Sequence, residues 1–411
     1  MKYLLVIGDG MADLPVPELG GKTPLQYAEI PTLDALASAG VSGTVLTVPE
    51  GMQPGSDTAI LSIFGCDPRL FFSGRAPLEA AAMGISLSPG DVAYRCNMVS
   101  IEEGDMPFDE KRIASHSAGA IRGADSDALV GALFNAVEFK QAAAAAGIKI
   151  YPGSSFRHIA VQKSPNVEGL KLTPPHDHLG EVVGQHLPRG CENAAVLENL
   201  IRLAHEILSA HPLNETRRAE GKLPANGIWF WSQGTSEKLP NFTKMYGKTG
   251  AVVSAVPLCR GIGSLIGLKT VLVKGATGEL NTNYEGKAQA ALEVLKTMDF
   301  VAVHVEAPDE CTHMGDVKGK VQAIEWIDSR LAAPLAEQLG QAGVDYRMLV
   351  LSDHKTLTST RAHDGTPVPF IIYDSRFDSG SGVTYCEEDA EKGVYIHDGT
   401  KLMSILFQQE K

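Results

Sequence analysis

Seven side chains have types and spacings that suit metal-assisted phosphoryl chemistry. Asp9 closes the apolar run "YLLVIGD", Asp309 follows "FVAVHVEAP", and Asp353 with His354 closes "RMLVLSD". His313 lies four residues after Asp309, so even one helical turn presents both to the same point. His363 follows on the loop "HKTLTSTRAHDGTPVPF". Carboxylates and imidazoles without a thiolate suit Zn²⁺ or Mn²⁺, with Mg²⁺ a further candidate, better than all-oxygen Ca²⁺ sites or soft-metal sites. The donors suffice for two ions. Two metals about 3.5–4 Å apart can hold both the attacking and the leaving oxygen of an in-line phosphoryl displacement. The nucleophile candidate is Ser56 in "EGMQPGSDTAILSIFG". Pro54-Gly55 makes a turn, and Ser56 is expected at the N-cap of a helix running to Gly65. Free amides and the helix dipole attract phosphate there, and a neighbouring metal would convert the hydroxyl to an alkoxide.

Each residue also has a plain structural reading. Ser-Asp after Pro-Gly is a common helix cap, Asp9 in "GDG" suits a turn, and Asp353-His354 suits a hydrogen-bonded strand end. His304 alternates within an apolar strand and reads as a core histidine. A dinucleotide-binding glycine motif is not met, because position 13 is aspartate where a third glycine is required. Convergence decides for metal: several independent strand ends deliver carboxylate or imidazole to one place. "TPPHDHLG" brings His176, Asp177 and His178 together, but after two prolines it reads as a turn with polar groups facing solvent or substrate, and no metal is assigned there.

Such convergence needs an open parallel sheet, in which ligands bind beyond the carboxyl ends of the strands. The opening "YLLVIGD" is a buried-strand pattern, and "PTLDALASAG" has helical spacing. The last third alternates strand 270–274, helix 284–298, strand 299–308, helix 320–339, and strands 347–353 and 369–374, with a closing helix near 399–409. Apolar strands separated by amphipathic helices predict an α/β fold, a doubly wound, mostly parallel sheet covered on both faces. The turn-rich middle predicts a second, smaller α+β lobe inserted into the first. The expected division is 1–90 with 226–411 for the catalytic domain and 91–225 for the lobe, although "DVAYRCNMVS" and "GIWFWSQG" could belong to either.

Composition bounds the partners. The formal charge of −13 argues against nucleic acid or an anionic membrane, so an anionic substrate must meet locally placed arginines. Six cysteines without a CxxC pair suit reduced thiols in a cytoplasm. The apolar run of "MKYLLVIGDG" is too short for a secretory signal, and no segment approaches the roughly 20 apolar residues of a membrane span. Oligomeric state is left open.

Taken together, "GDGMAD", "PEGMQPGSDTA", "SGRAPLEAAAMGI", "RCNMVS", "HPLNETRRAEGKLPANGIW", "GAVVSAVPLCRGIG", "GATGELNTNYEGKA", "EAPDECTHMGD" and "SDHKT…HDGTPVPF" resemble the archaeal-type cofactor-independent phosphoglycerate mutases of the alkaline phosphatase superfamily. The resemblance runs from the first residue to about 375. It implies an alkaline-phosphatase-like fold and interconversion of 2- and 3-phosphoglycerate without 2,3-bisphosphoglycerate. It also implies one metal on Asp309, His313 and His363, a second on Asp9, Asp353, His354 and Ser56, transient phosphorylation of Ser56, and an inserted lobe that grips the glycerate. Arg95, Arg157 and Lys274 are the candidates for gripping carboxylate and phosphate, since guanidinium forks fit both groups. Lys355 departs from the family pattern, where a small residue usually follows the Asp-His pair. A homoserine kinase-like phosphotransferase and a metal-dependent phosphatase of the same superfamily are the alternatives. The chain shows no Walker or kinase glycine loop for ATP.

Overall fold

The computed structural model describes residues 1–153, 155–235 and 239–408. The chain forms two compact units, one of Met1–Phe72 with Lys238–Lys411 and one of Ser73–Glu237. The crossings therefore lie earlier and later than the expected 90/91 and 225/226. Helix Arg75–Ala82 buries Ala76 and Ala80 against Ala93, Ile159 and Val161 of the second unit's sheet. Strand Gly227–Thr235 pairs along Val92–Ile101. Apolar packing and strand pairing thus draw both segments into the second unit.

The first unit is built on an eight-stranded sheet. Lys2–Gly8 lies between Phe300–Val305 and Tyr346–Leu351, parallel to both, and Gly250–Val253 and Lys269–Val271 extend the parallel array. Val368–Asp374 runs antiparallel to both its neighbours, Tyr346–Leu351 and Val41–Val45, and Val394–Ile396 closes the edge parallel to the latter. Burial on both faces explains why the central strands are apolar throughout: Leu4, Leu5, Val6 and Ile7 are all fully buried. Alternate residues face opposite layers. Leu4 and Val6 pack with Leu33, Ala291, Ile324 and Leu335 of the helices on one face. On the other, Tyr3 meets Phe407 edge-on at 4.9 Å, and Phe300 stacks on Phe242 at 5.0 Å.

Several elements differ at their ends from the sequence expectation. The strand expected at 299–308 is Phe300–Val305, and "APDECTHM" is already helix Ala307–Met314. The helix expected at 320–339 runs Val317–Ile327, passes through a π-helical turn at Asp328–Ala332 and continues as Ala333–Gln341. The closing helix is a 3₁₀ turn, Gly399–Lys401, followed by Leu402–Leu406; its expected last position, 409, lies outside the described residues.

The second unit is α+β. Val92–Ile101, buried along its whole length, pairs antiparallel with Arg157–Gln162, Gly227–Thr235 and Ile113–Ser115, and Ile148–Tyr151 flanks Arg157–Gln162. Tyr94, Cys96 and Met98 face a core that includes Leu197, Leu200 and Ile201 of helix Glu192–Ser209. The opposite alternation, Ala93, Arg95 and Asn97, faces the other way, and Arg157 opposite Asn97 shares that face.

One buried ion pair braces the first unit. Lys320 is fully buried; its Nζ lies 2.8 Å from Asp13 Oδ2 and donates to the Thr356 carbonyl at 2.7 Å. Asp13 also accepts from the Thr358 amide at 3.1 Å and from its hydroxyl. Removing one partner strands a buried charge. Lys320→Ala should therefore destabilise the chain by about 3–5 kcal/mol in reversible denaturant unfolding, and Asp13→Ala in the same chain should recover part of that loss. A loss below about 1 kcal/mol would show the pair to be dispensable.

Candidate metal centre and active site

The carboxyl ends of three parallel strands meet where the sheet rule places ligands. Asp9 follows Lys2–Gly8, Asp353 and His354 follow Tyr346–Leu351, and Asp309 sits in the first turn of helix Ala307–Met314, entered from Phe300–Val305. Gly10 makes the approach feasible. Its φ of 59° is left-handed, and a Cβ there would collide with Thr356 Oγ1 and lie 2.8 Å from Asp309 Oδ1.

Two donor sets result. His313 Nε2 lies 3.2 Å from Asp309 Oδ2, His363 Nε2 lies 3.4 Å from Asp309 Oδ1, and the two Nε2 atoms are 2.9 Å apart. In the second set Ser56 Oγ is 3.3 Å from Asp9 Oδ2 and 3.2 Å from His354 Nε2. His354 Nε2 is in turn 3.5 Å from Asp9 Oδ1 and 3.4 Å from Asp353 Oδ2. The sets adjoin: Asp309 can also share a point with Asp9 and His354, and the His354 and His363 rings are 4.1 Å apart.

Ser56 is the first residue of helix Ser56–Ile63 rather than its cap. Gly55, in an extended conformation, takes the cap position, and no side chain caps the helix. The nearby turn is closed by Thr58, whose hydroxyl donates to the Gly55 and Gln53 carbonyls. This leaves the Ser56 hydroxyl facing Asp9 and His354. The helix ends at Ile63, two residues short of the expected Gly65.

The electrostatics ask for cations. Burial and the nearby Asp353, Asp309 and Glu306 push the Asp9 carboxyl well above the ordinary carboxylate range. Asp309 is also buried, which raises it, but hydrogen bonding with His313 and His363 outweighs burial and holds it far below that range. The same contact lifts His313 to about 9, and burial lowers His354. Asp9 Oδ1 and Asp353 Oδ2 are buried without a hydrogen-bond partner among the described residues. Orphaned carboxylate oxygens beside imidazole nitrogens fit a divalent ion of the zinc or manganese kind. Cys259 supplies no thiolate, since burial pushes it up to about 12.

Sequence reasoning missed several supports of this centre. His304, read as a plain core histidine, contacts Asp9 Oδ2 at 3.0 Å through Nε2 and Ser254 Oγ at 3.2 Å through Nδ1, fixing the Asp9 carboxylate. Period-two alternation shows that His304 is inside but not what it meets. Thr356 donates to Asp309 Oδ1 at 2.6 Å and lies 3.2 Å from His354 Nδ1. Lys355 turns to the other side of its strand, where its ammonium donates to Thr366 Oγ1 at 3.0 Å.

In the second unit, buried Arg95 pairs with Glu79 at 3.1 Å and lies over the Trp231 ring at 4.1 Å. Burial pushes this guanidinium down to about 10, with Arg75 and Arg157 adding to the effect. His176 packs on Trp231 at 5.0 Å and on His116 at 5.9 Å. Burial lowers both imidazoles, and the neighbouring cations lower them further. Exposed Arg157 stands over Phe156 at 4.4 Å. The result is a cationic patch in an acidic chain, with Arg75 Nε and His116 Nδ1 buried and lacking hydrogen-bond partners. Arg95 and Arg157 were predicted; Arg75, His116, His176 and Trp231 come from segments too far apart for spacing to connect. Lys274, in the first unit, is exposed beyond strand Lys269–Val271, and its ammonium has no hydrogen bond or ion pair among the described residues.

Comparison with known proteins agrees with this chemistry. Residues 37–214 match the family described as 2,3-bisphosphoglycerate-independent phosphoglycerate mutase. The 2,3-bisphosphoglycerate-independent phosphoglycerate mutase of Methanosarcina acetivorans is 45% identical over 392 residues, 95% of each chain. The solved structure of the PH0037 protein from Pyrococcus horikoshii is similar with a TM-score of 0.80 and 30% identity, covering 100% of this chain and 98% of that one. The cofactor-independent phosphoglycerate mutase from Thermoplasma acidophilum has a TM-score of 0.64 and 25% identity over 99% of each chain. A relative this close along nearly its whole length places the sequence: the chain belongs to the 2,3-bisphosphoglycerate-independent phosphoglycerate mutase family.

Proposed function

We propose that this chain interconverts 2- and 3-phosphoglycerate through a phosphoserine at Ser56, with no 2,3-bisphosphoglycerate. The observation that supports this route is the placement of Ser56 Oγ, 3.3 Å from Asp9 and 3.2 Å from His354, at the open end of a helix. Asp309, His313 and His363 would hold one divalent cation, and Asp9, Ser56, Asp353 and His354 the other. Bound there, Mn²⁺ or Zn²⁺ would offset the carboxylate charge, favour the Ser56 alkoxide and neutralise the phosphoryl oxygens.

The residues then act in two balanced steps. Ser56 Oγ loses its proton and forms a bond to phosphorus as the bond from phosphorus to the glycerate oxygen breaks, and that oxygen takes up a proton. The neighbouring hydroxyl of the same glycerate loses a proton and attacks phosphorus as the bond to Ser56 Oγ breaks, and Ser56 Oγ takes up a proton, which restores the starting hydroxyl. No co-reactant is consumed. The free amides at the start of helix Ser56–Ile63 favour the phosphoryl group. His304 keeps the Asp9 carboxylate oriented throughout.

A mutase must also retain the glycerate between steps. We assign that task to the cationic patch of the second unit, with Arg95 and Arg157 as anion grips and His116 and His176 beside them. The six unpaired cysteines suit work in a reducing cytoplasm, and among the described residues no helix is long and apolar enough to cross a membrane.

Three outcomes test this scheme. Ser56→Ala should keep fold and metal content but lose isomerisation by at least about 10³-fold, and quenching the active protein with substrate should leave phosphate on Ser56 by mass spectrometry. Isomerisation by the alanine variant at the parent rate would mean direct transfer. Exhaustive chelation should abolish turnover and Mn²⁺ should restore it, while His363→Ala should lower the manganese bound per chain by elemental analysis. Full activity in demonstrably metal-free protein would end the two-ion reading. Arg157→Ala should raise KM and increase the ratio of free phosphate to isomerised product, because a poorly held glycerate leaves the phosphoserine to water. An unchanged ratio with unchanged KM would remove Arg157 from the grip.

A further inference from the structure

We infer that His178, Glu181 and His186 of the second unit form a zinc site that shares no residue with the Ser56 cluster. Glu181 Oε2 lies 3.2 Å from His178 Nδ1 and 2.8 Å from His186 Nε2. One donor atom from each residue can be placed within 4.8 Å of both others. Ligands held about 2.0–2.1 Å from a tetrahedral zinc are themselves about 3.3 Å apart, so the 3.2 Å contact already has that spacing and the 2.8 Å contact would open by about 0.5 Å. Two imidazoles and one carboxylate are a known zinc donor set, and one carboxylate charge against two neutral rings leaves room for a dication.

Two further observations separate this cluster from an ordinary surface ion pair. The first is strain in the hydrogen bonding. His186 is nine-tenths buried, and its Nε2, although close to Glu181, makes no hydrogen bond among the described residues. The rings of His178 and His186 are stacked at 4.0 Å, which brings both imidazoles to the same side of the Glu181 carboxylate. A buried imidazole nitrogen facing a carboxylate without hydrogen-bonding to it would be satisfied by a cation that both ligate once the pair opens slightly.

The second is preorganisation. The Gly180 amide donates to the Ile113 carbonyl at 2.8 Å, the Ile113 amide to the Glu181 carbonyl at 3.0 Å, and the Val183 amide to the Lys111 carbonyl at 2.8 Å. The segment between the two histidines is thus strapped to the strand Ile113–Ser115 and the residues before it, and all three ligands sit on a fixed backbone. The 3₁₀ turn Pro175–His178 also carries His176, two residues before the first ligand and packed on Trp231. The site would pin that turn, and with it one wall of the cationic patch. A tripeptide window around His176–His178 could not have revealed this, because two of the three ligands lie beyond it.

The test is a zinc count on the full chain. Metal-stripped protein is titrated with Zn²⁺, freed of excess by gel filtration and analysed for zinc, for the parent and for His186→Ala, His178→Ala and Glu181→Gln. The parent should retain one zinc more per chain than either histidine variant. Glu181→Gln should weaken that one equivalent by more than about 100-fold, the upper end of what loss of an outer partner costs a zinc site. His178 is the more exposed histidine, so its variant serves if His186→Ala fails to fold. Equal zinc stoichiometry and affinity in the parent and all folded variants would overturn the proposal and leave a hydrogen-bonded cluster only.

Discussion

Repulsion among buried carboxylates is the constraint around which the first unit is organised. Asp9, Asp309 and Asp353 are nearly inaccessible to water, on three different elements, and share one small volume. Apolar strands buried on both faces hold the backbone rigid enough to force them together, and no rearrangement of loops alone could do so. Hydrogen bonding with His313 and His363 holds Asp309 down, whereas burial, with Asp353, Asp309 and Glu306 nearby, pushes Asp9 up even though His304 and His354 adjoin it. What remains is a deficit of positive charge. Buried carboxylates left uncompensated in this way favour a dication before any substrate arrives.

The two units carry local charge of opposite sign. The first concentrates negative charge that a divalent ion would balance. The second, in a chain with a formal charge of −13, gathers arginine and histidine around one tryptophan, with several of these side chains paying in desolvation for their closeness. Each arrangement is unfavourable alone and becomes favourable when its counter-charge is present, which is how a rigid site converts folding energy into affinity for a particular charge pattern.

What could be read from the sequence was whatever depends on short-range pattern. Apolar runs ending in aspartate marked the strand ends, and the spacing of Asp309 and His313 survived into a helix. Patterns said less where one side chain answers another far away. His304 was correctly placed inside, but its partner Asp9 is 295 positions off. Lys320 opens the helix expected at 320–339, but no spacing reveals that Asp13, 307 positions away, meets it. Ser56 was placed one position early because Pro-Gly-Ser-Asp allows either glycine or serine to cap, and only the pull of Asp9 and His354 on the hydroxyl distinguishes them. The unit boundaries were missed because Arg75–Ala82 is an unremarkable amphipathic helix whose allegiance depends on which sheet its alanines meet.

The pairing of strand Lys2–Gly8 with Phe300–Val305 and Tyr346–Leu351 has a consequence for how the chain is made. Strand Lys2–Gly8 lies in the middle of the sheet, and both its neighbours are encoded roughly 300 or more residues later. At synthesis rates of about 5–20 residues per second it waits on the order of 15–70 s, largely apolar and with two open edges. The contiguous unit of Ser73–Glu237 is complete well before that and can fold meanwhile, whereas the catalytic unit can close only when nearly the whole chain has emerged. The order of the strands therefore makes the synthesis of Tyr346–Leu351, with Asp353 and His354 just beyond it, the step that allows the site around Asp9 to assemble.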